Sequence, residues 1–132
     1  MERGVESLII EPLERIADFD DKVYPSEALK NASAPFAFYR LLQDECEQDL
    51  SGDTELSFSR FELHIVAKTL VQVGQLADAA RAELRRLAGC TVHGRYVERV
   101  RISLASPDLH DREVELFRRV YNVEIWWQED DE

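Results

Sequence analysis

Residues 57–89 read SFSRFELHIVAKTLVQVGQLADAARAELRRLAG, and the change of period inside this stretch decides the fold class. Up to Ala67 the pattern alternates, with Phe61, Leu63, Ile65 and Ala67 on one side and Arg60, Glu62 and His64 on the other. A strand with one face in a core and the other toward water or a neighbouring subunit has this pattern. Beyond Thr69, a natural N-cap, Val73, Leu76, Ala77, Ala80, Leu84 and Leu87 recur every three or four residues until Gly89. That spacing predicts a helix of about five turns whose apolar stripe lies across a sheet. Arg81, Arg85 and Arg86 toward its end suit the negative pole of the helix dipole.

Working outward, Val5, Leu8, Ile9, Leu13, Ile16 and Ala17 predict an amphipathic N-terminal helix, with Pro12 expected to kink it or to begin it. Val23-Tyr24-Pro25 reads as a short extended segment, and Asn31, Ser33 and Pro35 mark a loop. Phe36, Phe38 and Leu42 alternate with Ala37, Tyr39 and Leu41, so both faces are apolar and this strand is expected to be central. Residues 44–55 hold six carboxylates and no basic residue around Ser51-Gly52-Asp53, which predicts a solvated hairpin connection.

Toward the C-terminus, residues 91–93 suggest a short strand broken at Gly94. Val100, Ile102 and Leu104 then alternate with Arg99, Arg101 and Ser103. A polar tip over residues 106–113 separates this strand from a return carrying Phe117, Tyr121, Val123, Ile125 and Trp127, with Arg119 the one polar member of that face. Two such strands make a protruding β-hairpin. The acidic end, residues 129–132, is expected to fray. The fold class is therefore α+β: an antiparallel sheet of about four to five strands, one long helix packed on a face, an N-terminal helix and a protruding hairpin, all in one domain over residues 1–132.

Composition bounds the function. A chain of 132 residues and 15.3 kDa can build one core, burying about 68% of the surface that its unfolded form exposes. The 27 acidic against 16 basic residues give a formal charge of −11, which opposes tight binding to a nucleic-acid backbone or an anionic membrane. No apolar run approaches the roughly 20 residues of a membrane span, no signal-peptide pattern opens the chain, and a cytosolic protein is expected. Cys46 and Cys90 are expected to be free, structural thiols.

Catalytic chemistry finds no foothold. His64, His93, His110, Cys46 and Cys90 stand in no ligand spacing, no nucleophile elbow is present, and the five glycines are scattered. No catalytic, cofactor-binding or metal-binding residue is assigned, and no cofactor is expected. The surplus is aromatic and arginine-rich. Trp126 and Trp127 are adjacent in a strand and must point to opposite faces, and thirteen of the sixteen basic residues are arginine. Acidic residues gather before Glu55 and after Glu129, whereas nine basic residues lie between Arg81 and Arg119. Such segregation suits head-to-tail pairing of identical chains.

Taken in order, these segments resemble the tail-terminator (tail-completion) family of long-tailed bacteriophages and prophages. The resemblance spans nearly the whole chain: the N-terminal helix, Val23-Tyr24-Pro25, the aromatic strand Ala34-Pro35-Phe36-Ala37-Phe38-Tyr39, the strand-to-helix passage and the closing Tyr121-Asn122-Val123-Glu124-Ile125-Trp126-Trp127. It implies a non-enzymatic virion protein, made in the host cytoplasm and seated at the head-proximal end of the tail. There a ring, usually hexameric, caps the tail tube, ends its polymerisation and offers the surface for head-tail joining. The implied partners are further copies of itself, the tail-tube protein and the head-connector protein, with DNA passing through without tight binding and no membrane. Under this resemblance Arg60, Glu62, His64, Arg99 and Arg101 are candidate subunit-interface residues, and Asp108, Leu109, His110, Asp111 and Arg112 candidate contacts to tube or connector. The alternatives are another neck or tail-tube protein of the same fold, or an acidic module that mimics nucleic acid.

Overall fold

A computed structural model describes residues 4–25, 33–48 and 55–129. The expected turn at Ser51-Gly52-Asp53, most of the loop before Pro35 and the last three residues of the acidic end lie outside the described residues. Two helices, α1 (Ser7–Glu14) and α2 (Leu70–Arg85), accompany seven strands: β1 (Val23–Pro25), β2 (Phe36–Gln48), β3 (Glu55–Ala67), β4 (Thr91–Val92), β5 (Arg95–Leu104), β6 (Leu109–Asp111) and β7 (Leu116–Glu129). A 3-10 turn over Ala17–Phe19 buries Phe19 between α1 and β1.

The strands form one sheet in the order β1-β2-β3-β7-β5-β4, with β6 continuing the β5 side of β7. The α+β class holds, and two of its details change. Seven described strands exceed the expected four to five: the short segments expected at Val23-Tyr24-Pro25 and residues 91–93 join the sheet as β1 and β4, and β6 forms within the expected polar tip, where three residues are too few to register a period. The sheet is also mixed, since β1 runs parallel to β2 while every other pair is antiparallel.

The period change at Thr69 is realised as read. Thr69 is extended, and its Oγ1 accepts a hydrogen bond from the Gln72 backbone N–H at 3.1 Å, a side-chain N-cap for α2. From α2, Val73, Ala77, Ala80 and Leu84 are fully buried against Phe61, Leu63, Ile65 and Ala67 of β3 and Val123 and Ile125 of β7. α1 lies on the same face and adds Leu8, Ile9 and Leu13. Pro12 neither starts nor divides this helix: it sits in the final turn, where its missing N–H removes one bond, to the Leu8 carbonyl, and the helix ends at Glu14. Its own carbonyl still accepts from the Arg15 N–H.

β2 is central over only part of its length. Residues 37–39 lie between β1 and β3, but a register shift between Leu41 and Gln43 follows, and Leu41 and Leu42 are exposed. The described part of the acidic stretch, residues 44–48 and 55, is strand: Asp44, Glu45 and Cys46 pair with Ser59, Phe58 and Ser57. A strand end without a partner on its outer side leaves such side chains in water, so carboxylates do not oppose pairing. Cys46 and Cys90 are free and both exposed, which removes the structural role expected for them.

At the other end, His93 and Gly94 take positive φ (47° and 80°) in the two-residue turn joining β4 to β5. β5 and β7 then form the long hairpin. Its tip shares a hollow of about 660 Å³ with Phe36, Phe38 and Val66, so it leans along the sheet instead of standing clear. Leu109 and Leu116, both on that side, give it an apolar reason to do so.

Candidate functional site

Both helices cover one face of the sheet, and no described element covers the opposite, outer face as a layer. Strand alternation decides which side chains stand there. In β3 the even-numbered residues point outward, and the ladder register aligns them with partners on β2, β7 and β5 in rows across the sheet.

One row runs from Gln43 through Arg60 and Glu124 to Arg101, with Arg101 Nε 3.8 Å from Glu124 Oε1. The next joins Arg40, Glu62, Asn122 and Ser103, and Arg40 donates to Glu62 Oε1 at 2.7 Å. In a third, the His64 ring stacks on Phe38 with centroids 4.1 Å apart while Nε2 contacts the same Glu62 oxygen at 2.7 Å. Toward the far end, Trp126 packs against Phe58 at 5.0 Å and carries the Arg99 guanidinium 4.9 Å above its ring. At the near end Phe36, Phe38 and Val66 form a small second cluster with Tyr24, Ala34 and Leu116.

Two arginine–carboxylate pairs, Arg40–Glu62 and Arg101–Glu124, order the electrostatics of this face. The hydrogen bond from His64, assisted by Arg40, holds Glu62 below the usual carboxylate range. Burial outweighs the attraction of Glu62 and pushes His64 below the ordinary imidazole value, so the ring is neutral at pH 7 and donates through Nε2. Its Nδ1 is then a buried acceptor without a partner among the described residues, and Arg60 Nε is a donor in the same position.

All five candidate interface residues, Arg60, Glu62, His64, Arg99 and Arg101, therefore stand on one face, although they come from two strands that β7 separates. Sequence reasoning put Trp126 on the face opposite Trp127 but missed Arg40 and Glu124; the alternation of β7 against Tyr121, Val123 and Ile125 carried the signal for Glu124. The tip residues are less uniform. Leu109, His110 and Asp111 form β6, and the exposed His110 ring lies flat on Phe117 at 4.2 Å. Arg112 is exposed at the turn. Asp108 is committed within the chain: it receives Arg119 Nε and a terminal guanidinium nitrogen at 2.8 and 2.9 Å. This fork explains how Arg119 is accommodated on an otherwise apolar face, and it lowers the Asp108 pKa while raising that of Arg119.

No group of three or more His, Cys, Asp or Glu among the described residues is arranged to hold a metal ion. His93 is occupied with Glu11 of α1. What the outer face offers chemically is aromatic stacking surface and arginine, the residue types enriched at protein interfaces, together with exchangeable ion pairs.

No family model matches the chain, and no curated protein matches it. Among solved structures the chain is similar to one in the structure described as "Virion of native gene transfer agent (GTA) particle", with a TM-score of 0.52 and 8% identity over 95% of each chain. At that identity the likeness speaks for the fold alone, and the chain thus shares its fold with a chain of a virion particle.

Proposed function

We propose that this protein is a non-enzymatic structural component of a phage-like virion, forming a homo-oligomeric, hexameric ring that caps the tail tube. The ring ends tube polymerisation and presents the surface on which the head connector docks. The observation that carries the reading is the outer sheet face, left without a covering layer and lined with cross-strand arginine, carboxylate and aromatic rows. A fold shared with a chain of a gene transfer agent virion supports the same setting. The net charge of −11 suits a ring through which DNA slides without adhering.

Electron microscopy of the purified protein at high concentration tests the assembly, and immunogold labelling of phage-like particles from the source cells tests the location. Closed rings and gold confined to the head-tail junction are expected. Label along the tube or on the capsid would replace this reading with a tube or head protein of the same fold.

A further inference from the structure

The sheet ends in two open edges, and they carry opposite charge. β1 covers β2 only at residues 37–39, so from Arg40 to Gln48 the outer edge of β2 meets no described strand. β4 covers β5 only at Arg95 and Tyr96, and backbone bonds with Gly89 and Cys90 occupy Val97. From Glu98 to Leu104 that edge, too, meets no described strand.

On the β2 edge stand Asp44 and Glu45, both exposed. On the β5 edge stand Arg99 and Arg101, both exposed. Inside the chain Arg40 is engaged with Glu62 and Glu98 with Gln128; Asp44 accepts from Ser59, and Arg101 stands 3.8 Å from Glu124, a long and largely exposed pairing that a closer carboxylate can replace. Each edge also exposes large apolar side chains, Leu41 and Leu42 at 37% and 40% on β2 and Leu104 at 56% on β5. Like-to-like pairing of either edge sets equal charges side by side, which is destabilising, whereas the unlike edges attract.

We propose that β5 of one copy pairs with β2 of the next, continuing the sheet from subunit to subunit; this rests on the self-assembly reading above. Within the chain β2 and β5 run in opposite directions, since three antiparallel pairings separate them. Rotation about an axis along the strands preserves that relation, so the junction is antiparallel. Arg101 and Glu45 both stand on the outer face, and setting them opposite each other brings Leu104 opposite Leu42 and Val100 opposite Cys46. The contact is heterologous, and a heterologous contact closes into a ring when its rotation permits.

Charge exchange tests the junction. Arg101→Glu and Glu45→Arg alone should each weaken self-association by about tenfold or more in sedimentation velocity, and the double variant should recover it. Circular dichroism melting confirms that each variant folds. Independently, in a Cys90→Ser background, a chain retaining Cys46 is mixed with a size-tagged chain carrying Cys46→Ser and Val100→Cys. Oxidation should join the unlike chains. Assembly that ignores the charge reversals and gives no such cross-link overturns the junction and leaves the ring standing. A protein that stays monomeric at every concentration overturns both.

Discussion

Ser59 is fully buried, and its hydroxyl is used twice: it donates to Asp44 Oδ1 at 2.9 Å and accepts from Trp127 Nε1 at 3.0 Å. Ser59→Ala leaves the indole N–H without its partner in the core, so urea denaturation should show a loss of about 1–3 kcal/mol. An unchanged midpoint would mean that Trp127 finds another acceptor. Asp108 gives a pH signature. Its folded pKa lies below the ordinary 3.8, so its contribution is complete above that value and disappears as pH falls through the lower, folded one. Asp108→Asn should therefore reduce stability at pH 7 and flatten the acid limb of a stability-pH curve. The gain is modest because both partners are partly exposed. His64 acts through the same linkage with the other charge type. Its folded pKa is depressed by burial, so the unfolded chain binds more protons and stability should decline as pH drops below about 6.5. An NMR titration of the imidazole should place its midpoint below that of a free histidine.

Among the elements, α2 depends on its first turn. Thr69→Ala removes the side-chain cap and should cost about 1 kcal/mol in thermal or urea unfolding, with Thr69→Ser largely retaining it. At the β4–β5 turn, Gly94 holds a φ of 80° with open space around its Cα, so Gly94→Ala should destabilise through backbone conformation alone, by about 1 kcal/mol. Elements long enough to repeat their period were legible in the sequence: β3, α2 and the β5–β7 hairpin lie close to where alternation and three-to-four spacing put them. What escaped has a physical reason in each case. β6 borrows its conformation from the β7 ladder, and the acidic end of β2 is strand because β3 pairs it, against the propensity of its own residues. The five interface candidates could be assigned to outward faces from parity, but their meeting on one surface depends on β7 inserting between β3 and β5, a long-range choice that no local pattern encodes.

At the scale of the whole molecule, a sheet covered by helices on one side and, among the described residues, by no layer on the other meets a net charge of −11. In the proposed ring, copies of such a chain repel at a distance and are drawn together where arginine finds carboxylate. Self-association should therefore respond to salt, and sedimentation in about 0.1 M against 1 M salt, where the Debye length shrinks from about 10 to 3 Å, measures how much of the contact is ionic. A contact indifferent to salt would be apolar, centred on the exposed Leu41, Leu42 and Leu104 instead. The two adjacent tryptophans divide the molecule between them: Trp127 is sealed in the helix-side core, while Trp126 lies half-buried beneath Arg99 on the bare side. They form a natural pair of fluorophores with separate duties. Trp126→Phe leaves an emission that reports unfolding alone, and Trp127→Phe leaves one that iodide or acrylamide quenches in the free subunit and that falls silent to the quencher once a neighbour closes over the face.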